Sequence, residues 1–385
     1  MKEKIARELE KIKSKDLYRE MPEMSEGAGK YITIGDNRYL NLSSNNYLGL
    51  SELESVRVKS IEAVENFGTT SGASRIVTGN YSLYDTLEQK TADFKNREKA
   101  LVFNSGYAAN LAVYSSLASR DTLVFSDKLN HASIIDGIKL SGAKQIRYKH
   151  NDMADLESLL EKHKDAKEKI IATDTIFSMD GDTCPLSKIV ALAEKYSAMT
   201  ILDEAHATGV FGRGRGFAHE VGLSERVDVH MGTFSKALGS FGGYVAADEI
   251  IIDYLRNKAR SFIYSTSLPP AVVGASLASL DYVMKKPEIG GRLLDAAEDL
   301  RRYLQALGYD TGDSTTQIIP VILGENKRAL TAKKFMMERG LYLAAIRPPT
   351  VPNNTARLRL TLRLDVLDEM ERIKAEFKAM RESGI

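Results

Sequence analysis

The 385-residue sequence has one cysteine, Cys184, and almost no net charge. A single cysteine excludes a disulfide framework and a multi-cysteine zinc site, and we assign no metal to the chain. Lys and Arg number 53 against 52 for Asp and Glu, so no basic field attracts nucleic acid or an anionic membrane, and we expect neither as a partner. No run of about 18 apolar residues is present, which argues against a membrane-spanning helix. The charged segment 1–7 lacks the apolar core of a signal peptide, so we expect a cytoplasmic protein.

The composition is that of a folded, globular protein. Hydrophobic residues make up 43% and charged residues 27% of the chain. A length of 385 residues predicts two or three domains, at about 100–200 residues per domain. The sequence pattern changes near residues 45 and 280. We therefore divide the chain into an N-terminal helix and strand segment at 1–45, a large α/β domain at 46–280 and a small α+β domain at 281–385. Within the first segment, the pattern predicts an amphipathic helix over 1–20 and a strand pair at 31–34 and 38–42.

Short apolar runs alternate with helix-length segments through the large domain. The runs lie at 100–103, 122–125, 145–148, 169–172, 200–202, 227–231 and 243–247. Because these runs are apolar on both faces, they predict strands of a mainly parallel sheet that is covered by helices. Ligands of such sheets bind at the carboxyl ends of the strands, so the polar residues directly after each run are candidates for a site.

The run at 100–103 is followed by Asn104, Ser105, Gly106 and Tyr107, which open a helical segment. Ser and Gly at a helix N-terminus expose backbone N–H groups and the positive end of the helix dipole, which favours phosphate binding. Turns of this kind also cap ordinary helices, so this signal alone does not decide the function.

A lysine and an aspartate follow two neighbouring runs. Asp203 directly follows the run at 200–202, and Lys236 ends the segment 233–236 after the run at 227–231. Lysine forms a Schiff base with pyridoxal 5′-phosphate (PLP), and an aspartate keeps the pyridine nitrogen of that cofactor protonated. A single lysine is most often a solvated surface residue. Its combination with a phosphate-binding turn and a strand-end acid favours the PLP interpretation.

Four further side chains fit the same cofactor. The hydroxyls of Thr233 and Ser235 would supplement the phosphate cradle, and His206 would hydrogen-bond a ring oxygen. His131, just after the run at 122–125, is a candidate to stack on the ring, although a lone histidine is more often a helix cap or a core residue.

Arginines in the last hundred residues are candidates for binding a substrate acid. Arg357 and Arg359 alternate with apolar residues, so a strand would place both on one face. A guanidinium there would bind a carboxylate through two hydrogen bonds. A solvated outer sheet face explains the same pattern equally well.

The segment 203–206, Asp-Glu-Ala-His, also spells the acidic box of certain helicases. Such a motor needs a G-x-x-x-x-G-K-[ST] phosphate loop, and the nearest approach, at 27–31, lacks the first glycine and the hydroxyl. A nucleotide-driven nucleic-acid remodeller is therefore the weaker alternative, and it comes from a different class of function.

Taken together, the motifs resemble those of the α-oxoamine synthases, PLP enzymes of fold type I that join an amino acid to an acyl thioester. The matching segments are 41–49, 68–75, 103–110, 130–133, 177–181, 203–206, 233–236 and 263–267. Segments 346–352 and 355–362 look most like members that condense L-alanine with pimeloyl-CoA or a pimeloyl carrier protein. The resemblance implies that this decarboxylative reaction gives 8-amino-7-oxononanoate, CO2 and a free thiol, in biotin synthesis.

The resemblance also implies roles for matching residues. Lys236 carries the Schiff base, Asp203 pairs with the ring nitrogen, His206 bonds the ring oxygen and His131 stacks on the ring. The remaining implied cofactor contacts are Ser105, Gly106, Tyr107, Ser178, Thr233, Ser235 and Thr266. The implied substrate contacts are Arg19, Asn45, His131, Thr350 and Arg359, with Arg359 taking the amino-acid carboxylate. The family works as a homodimer with shared active sites, in which Ser265 or Thr266 reaches the phosphate bound by the partner.

Two alternatives within PLP chemistry stay open at this point. Segments 130–137 and 177–181 occur equally in family members that condense glycine with acetyl-CoA. A simple aminotransferase shares the pair of Lys236 and Asp203, but it would make keto acids without releasing a thiol.

Overall fold

The computed structural model describes residues 1–27 and 29–385. They form two compact units. One, which we call the large unit, comprises Asn46–Ser178 and Thr183–Arg292. The other, the small unit, comprises Met1–Asn45, Met179–Asp182 and Leu293–Ile385. The three-part division into 1–45, 46–280 and 281–385 stays a prediction.

Helices and strands alternate along most of the chain. The α-helices are α1 (Lys2–Ser14), α2 (Glu54–Phe67), α3 (Ser82–Lys95), α4 (Gly106–Leu117), α5 (Ala132–Ser141), α6 (Met153–Lys162), α7 (Leu186–Tyr196), α8 (Phe217–Glu220), α9 (Glu249–Lys258), α10 (Arg260–Ile263), α11 (Pro270–Lys285), α12 (Ile289–Ala306), α13 (Asn326–Glu338) and α14 (Met370–Glu382). The strands are β1 (Tyr31–Ile34), β2 (Asn37–Asn41), β3 (Lys99–Phe103), β4 (Thr122–Asp127), β5 (Lys144–Tyr148), β6 (Glu168–Asp174), β7 (Met199–Asp203), β8 (Val229–Thr233), β9 (Gly243–Ala247), β10 (Ile318–Gly324), β11 (Leu341–Tyr342), β12 (Ala344–Ile346) and β13 (Ala356–Thr361). Among the described residues no helix is both long and apolar enough to cross a membrane.

A seven-stranded sheet in the order β3-β9-β8-β7-β6-β4-β5 forms the centre of the large unit. Strands β8, β7, β6, β4 and β5 pair in parallel, and β9 pairs antiparallel with β8 and with β3. The short connection from β8 to β9 requires the antiparallel pairing, because a parallel connection needs a crossover of a dozen or more residues. The prediction of a mainly parallel α/β fold is confirmed.

The two faces of this sheet pack into two separate hydrophobic cores. Val124, Ile170 and Ile201 belong to one core cluster, and their immediate neighbours belong to another. Those neighbours are Phe125, Ile171 and Leu202. Successive side chains of a strand point to opposite faces, so a strand that is buried on both sides must be apolar at every position. This is why the runs lack the alternation of a half-exposed strand.

The small unit contains two three-stranded sheets, ordered β1-β2-β11 and β10-β13-β12. The predicted strand pair near 31–41 is present as an antiparallel hairpin, and Gly35 takes the left-handed conformation that its turn requires. The helix expected over 1–20 is shorter than expected. It ends at Ser14, and Asp16, with a φ of 55°, terminates the helical conformation.

A glycine substitution tests the packing of the small unit. Gly181 has a φ of 71°, and a Cβ added to it would lie 2.0 Å from the carbonyl oxygen of Ile318. We expect Gly181→Ala to lower the free energy of unfolding by about 3 kcal/mol, from backbone strain and overlap together. Gly35→Ala is the matched control, because Gly35 also has a positive φ but has nothing within 4 Å of an added Cβ. It should cost only about 1 kcal/mol in a urea titration. Equal losses for the two variants would contradict this packing.

Candidate active site

Polar residues from several strand ends and loops of the large unit surround one cavity of about 180 Å³. Strands β4, β6, β7 and β8 run in parallel, so their carboxyl ends meet at one edge of the sheet. The cavity is lined by Ser105, Gly106, Tyr107, Asn110, His131, Ser133, Asp174, Asp203, Ala205, His206, Met231, Thr233, Ser235 and Lys236. The structure thus brings together most of the residues that the sequence assigned to a PLP site.

Asp203 is the last residue of β7, and it is buried. Its Oδ2 accepts a hydrogen bond from Nδ2 of Asn110 at 2.8 Å, and its Oδ1 accepts one from the backbone N–H of Ala205 at 2.9 Å. Two donors therefore fix the orientation of the carboxylate. The Oδ1 atom of Asn110 has no hydrogen-bond partner among the described residues, so this buried amide has an acceptor to offer a ligand.

A chain of hydrogen bonds connects Asp203 to His131. The Nδ2 group of Asn110 also donates to Oγ of Ser133 at 2.8 Å, and that hydroxyl lies 2.7 Å from Nδ1 of His131. The backbone N–H of Ser133 donates to the same Nδ1 at 3.3 Å, so Nδ1 is the acceptor and Nε2 carries the proton. Burial lowers the pKa of His131, and the charge of Lys236 lowers it further. At neutral pH His131 is therefore an uncharged imidazole.

A second acid lies beside Asp203. Asp174 ends β6, pairs in register with Asp203 and lines the cavity. Its Oδ2 accepts a hydrogen bond from the backbone N–H of His131 at 2.8 Å. Burial raises the pKa of Asp174 well above its ordinary value, and the charge of Asp203 raises it further. Two adjacent buried carboxyls do not both ionise easily, so Asp174 takes the proton.

His206 is oriented by a buried tyrosine. Its Nδ1 lies 2.5 Å from the hydroxyl of Tyr47, which is completely buried. This contact orients the imidazole ring within the cavity wall.

Backbone and hydroxyl groups of other cavity residues form a cradle. Ser105 caps α4, and its Oγ accepts from the N–H of Ala108 at 3.0 Å. The hydroxyl of Thr233 donates to the carbonyl of Gly242 and lies 2.6 Å from Oγ of Ser235. A Cβ on Gly243 would lie 2.7 Å from the backbone N of Gly106, so the chain passes too closely for a side chain there. The first turn of α4, a twelve-residue helix, therefore suits a phosphate group.

Of three further predicted cofactor residues, Tyr107, Ser178 and Thr266, only the first lines the cavity. Tyr107 lines the cavity, and its hydroxyl donates to Asp136. Ser178 and Thr266 are not among the cavity residues. The carbonyl of Thr266 and the Oγ of Ser265 accept from the Asn104 amide, which places this segment beside the start of the cradle. The cofactor roles of all three residues stay predictions.

The predicted substrate residues of the small unit form two pairs. Arg19 donates to Oγ1 of Thr350 at 3.4 Å, and both line a cavity of about 790 Å³. Arg359 donates to Oδ1 of Asn45 at 3.1 Å and to Oγ1 of Thr361 at 2.9 Å. Their roles in substrate binding stay predictions.

The alternative that Arg357 and Arg359 lie on a solvated outer sheet face is wrong. The two residues are only 2% and 6% exposed. Arg357 forms an ion pair with Asp180 at 2.6 Å and donates to the carbonyl of Met179. Arg357 is thus committed to internal partners.

Sequence reasoning missed four residues of the site: Tyr47, Asn110, Ser133 and Asp174. Asp174 follows the predicted run at 169–172 closely, but the strand continues to it instead of ending before it. The other three lie within or beside matching motifs. No pattern in the sequence shows which side chains they contact.

The comparisons with known proteins agree with this geometry. Residues 37–371 match the family model described as aminotransferase class I and II. The chain belongs to this family. It is 46% identical over 366 residues to 8-amino-7-oxononanoate synthase of Geobacter sulfurreducens, covering 94% of this chain and 93% of that protein. It is 48% identical over 368 residues to the enzyme of the same name from Geobacter metallireducens, with the same coverage.

Solved structures give the same result. A serine palmitoyltransferase from S. paucimobilis superposes with a TM-score of 0.93 at 30% identity, covering 98% of this chain and 97% of that one. An 8-amino-7-oxononanoate synthase from Francisella tularensis superposes with a TM-score of 0.77 at 28% identity, covering 90% and 99%. The resemblance to α-oxoamine synthases and the fold type I assignment are confirmed. Membership of this family leaves the helicase-like interpretation of 203–206 without support.

The shifted pKa of Asp174 predicts a pH-dependent stability. A folded-state pKa above the unfolded one means that stability is complete at low pH and is lost as pH rises toward the folded pKa. Asn at this position needs no proton and keeps an oxygen to accept from the N–H of His131. We therefore expect Asp174→Asn apoprotein to be more stable than the unmodified apoprotein, by a margin that grows as the pH rises from 5 toward the folded-state pKa of Asp174. The slope should be at most about 1.4 kcal/mol per pH unit.

Urea titrations at four pH values in this range measure that margin. Asp121→Asn, at an exposed turn, is the control and should show a constant difference. A margin for Asp174→Asn that shrinks or stays constant as pH rises would contradict the assignment of a protonated Asp174.

Proposed function

We propose that this chain is an 8-amino-7-oxononanoate synthase. It condenses L-alanine with pimeloyl-CoA or a pimeloyl carrier protein and releases 8-amino-7-oxononanoate, CO2 and a free thiol. The observation that carries the proposal is the placement of Lys236, Asp203 and His131 around one cavity. The names of the Geobacter relatives, which match over 94% of this chain, support the choice of substrates.

The cavity residues fit PLP on four counts. Lys236 supplies an amine for the aldehyde, and Asp203 presents a carboxylate whose orientation two donors fix. His131 offers a flat, uncharged ring, and the turn at Ser105 and Gly106 offers N–H groups to a phosphate. The free acceptor of Asn110 beside Asp203 is also consistent with a polar ligand. When bound, PLP supplies an electron-accepting ring that stabilises negative charge on the α-carbon of the amino acid.

In this proposal the cavity residues Asp203, His131 and His206 each have a defined role. Asp203 would keep the pyridine nitrogen protonated, since its carboxylate is held in place by Asn110 and by the N–H of Ala205. His131, whose tautomer Ser133 fixes, would hold the ring at its face. His206, oriented by Tyr47, would hydrogen-bond the ring oxygen.

Lys236 is the proposed base. Its Nζ takes the α-proton of alanine and returns a proton to the product carbon after CO2 has left. In the small unit, Arg359 is proposed to bind the amino-acid carboxylate, and Arg19 and Thr350 to contact substrate. The pairing of Arg359 with Asn45 and of Arg19 with Thr350 supports these roles, since each arginine has a neutral neighbour that orients it.

We expect Lys236→Ala to lower the rate of thiol release at least about 10³-fold, because the variant lacks the amine that serves both as the PLP attachment point and as the base. A thiol-reactive dye measures the rate with alanine and pimeloyl-CoA. Lys195→Ala, an exposed lysine paired with Glu157, is the control and should keep the full rate. A near-normal rate for Lys236→Ala would refute the assignment.

The substrate choice has its own test. Alanine and glycine, each crossed with pimeloyl-CoA and acetyl-CoA, give four rates of thiol release. We expect alanine with pimeloyl-CoA to be the fastest combination. A preference for glycine with acetyl-CoA would overturn the choice of substrates, and keto-acid formation without thiol would indicate an aminotransferase.

We also propose that the chain works as a homodimer in the cytoplasm, as the single Cys184 and the family pattern favour. Large apolar side chains are exposed next to the segment expected to reach the partner. Ile76, Val77 and Tyr264 are 54%, 73% and 73% exposed, beside the β-bridge between Ser74 and Thr266. A second copy that covers this patch would remove apolar surface from water close to Thr266.

Light scattering after gel filtration tests the dimer. We expect the unmodified protein to elute as a dimer and Val77→Asp to shift toward monomer, because a charge would be buried at the interface. Ile250→Asp is the control, since Ile250 is exposed on α9 outside the patch. A monomeric, fully active protein would contradict the proposal.

A further inference from the structure

Three titratable residues lie completely buried in and beside the segment 203–206, and no step described above uses them. They are Lys95 at the end of α3, Glu204 directly after β7 and His230 on β8. Buried charges are costly unless they are paired, so a cluster of three needs an explanation.

Glu204 is the centre of this cluster. Its Oε2 accepts from Nζ of Lys95 and lies 3.0 Å from Nδ1 of His230, and its Oε1 accepts from the N–H of Ala218 at 2.9 Å. Burial alone would raise the pKa of Glu204, but Lys95 and His230 outweigh burial and hold that pKa below its ordinary value. The side chain is therefore a carboxylate.

His230 faces hydrogen-bond acceptors at both ring nitrogens. Its Nε2 lies 3.0 Å from the carbonyl oxygen of Ser224, which only accepts hydrogen bonds. Its Nδ1 faces the Glu204 carboxylate, which also only accepts. One buried carboxylate thus connects Lys95 to His230, and His230 connects in turn to Ser224.

The surrounding backbone is shaped around this carboxylate. A Cβ added to Gly216 would lie 2.6 Å from Oε1 of Glu204, and Gly216 has a φ of 119° that favours glycine. His219 packs beside His230 and stays neutral, because burial and the charge of Lys95 lower its pKa to about 3. The backbone therefore leaves room for the Glu204 carboxylate between Lys95 and His230.

The cluster connects β7 to β8, the two strands that lead to Asp203 and Lys236. The backbone N–H of Glu204 donates to the carbonyl of Met231 on β8, and its carbonyl accepts from Ala207 and Thr208. The contact from Glu204 to His230 adds a side-chain link between the end of β7, which bears Asp203, and β8, which leads to Lys236.

We propose that Glu204, braced by Lys95 and His230, is a positioning residue that sets the spacing between Asp203 and Lys236 for PLP. This inference rests on the proposed function. It requires that loss of the link between Glu204 and His230 weaken PLP binding itself, in addition to any loss of stability.

Replacing His230 by Asn or by Gln tests the hydrogen bond to Glu204 separately from the hydrogen bond to Ser224. Asn places its NH2 group close to the position of Nδ1 and so keeps the hydrogen bond to Glu204. Gln places its NH2 group close to the position of Nε2 and so keeps only the bond to Ser224. We expect His230→Asn to bind PLP within about threefold of the unmodified protein, and His230→Gln to bind roughly tenfold or more weakly. Glu204→Gln should weaken binding in the same way as His230→Gln.

The measurement is the Kd of PLP for each apoprotein, from an absorbance titration well below the melting temperature of that variant. Glu225→Gln is the matched control, because Glu225 is an exposed acid that accepts from Asn96, the neighbour of Lys95. It should leave the Kd unchanged. If Glu204→Gln fails to fold, the comparison of His230→Asn with His230→Gln decides.

The possible outcomes distinguish the positioning role of Glu204 from the proposed function of the chain. Equal Kd values for His230→Asn and His230→Gln would overturn the positioning role, whether both are normal or both are weakened. Melting temperatures that fall while the Kd stays constant would also overturn it, because that is what a purely structural cluster produces. Failure of the unmodified protein to bind PLP would instead refute the proposed function.

Discussion

The site depends on keeping one carboxylate, Asp203, in a fixed orientation at the buried end of a parallel strand. Its two oxygens are each satisfied by a donor, from Asn110 and from the N–H of Ala205. The neighbouring acid, Asp174, holds its proton, so two negative charges do not compete at this edge. The arrangement favours a cofactor that brings a positively charged ring nitrogen, because Asp203 then gains a charged partner inside the protein.

The hydrogen bonds around Asp203 do more than satisfy buried atoms. Asn110 donates to both Asp203 and Ser133, and Ser133 in turn sets the tautomer of His131. One amide therefore couples Asp203, which is proposed to meet the ring nitrogen, to His131, which is proposed to meet the ring face. Connected networks of this kind restrict side-chain rotation, which keeps a binding geometry in place before the ligand arrives.

The strand positions could be predicted because strands buried on both faces are apolar throughout, and the candidate residues followed from the ends of those strands. Lys236, Asp203, His131 and His206 were found in this way and share one cavity. The partners of these residues could not be predicted. Tyr47 reaches His206 from a distant part of the chain, and Asn110 lies 93 residues before Asp203 in the sequence, so only the packed fold shows the contacts. The burial of Arg357 depends in the same way on its ion pair with Asp180.

The central claim is that the Nζ atom of Lys236 forms the covalent bond to PLP. Borohydride reduction of the PLP-loaded protein, followed by peptide mass spectrometry, tests it most directly. We predict one modified peptide, with the pyridoxyl group on Lys236, and no modified peptide from Lys236→Ala. A pyridoxyl group on a different lysine, or a protein that remains colourless and unlabelled after incubation with PLP, would contradict the assignment of Lys236.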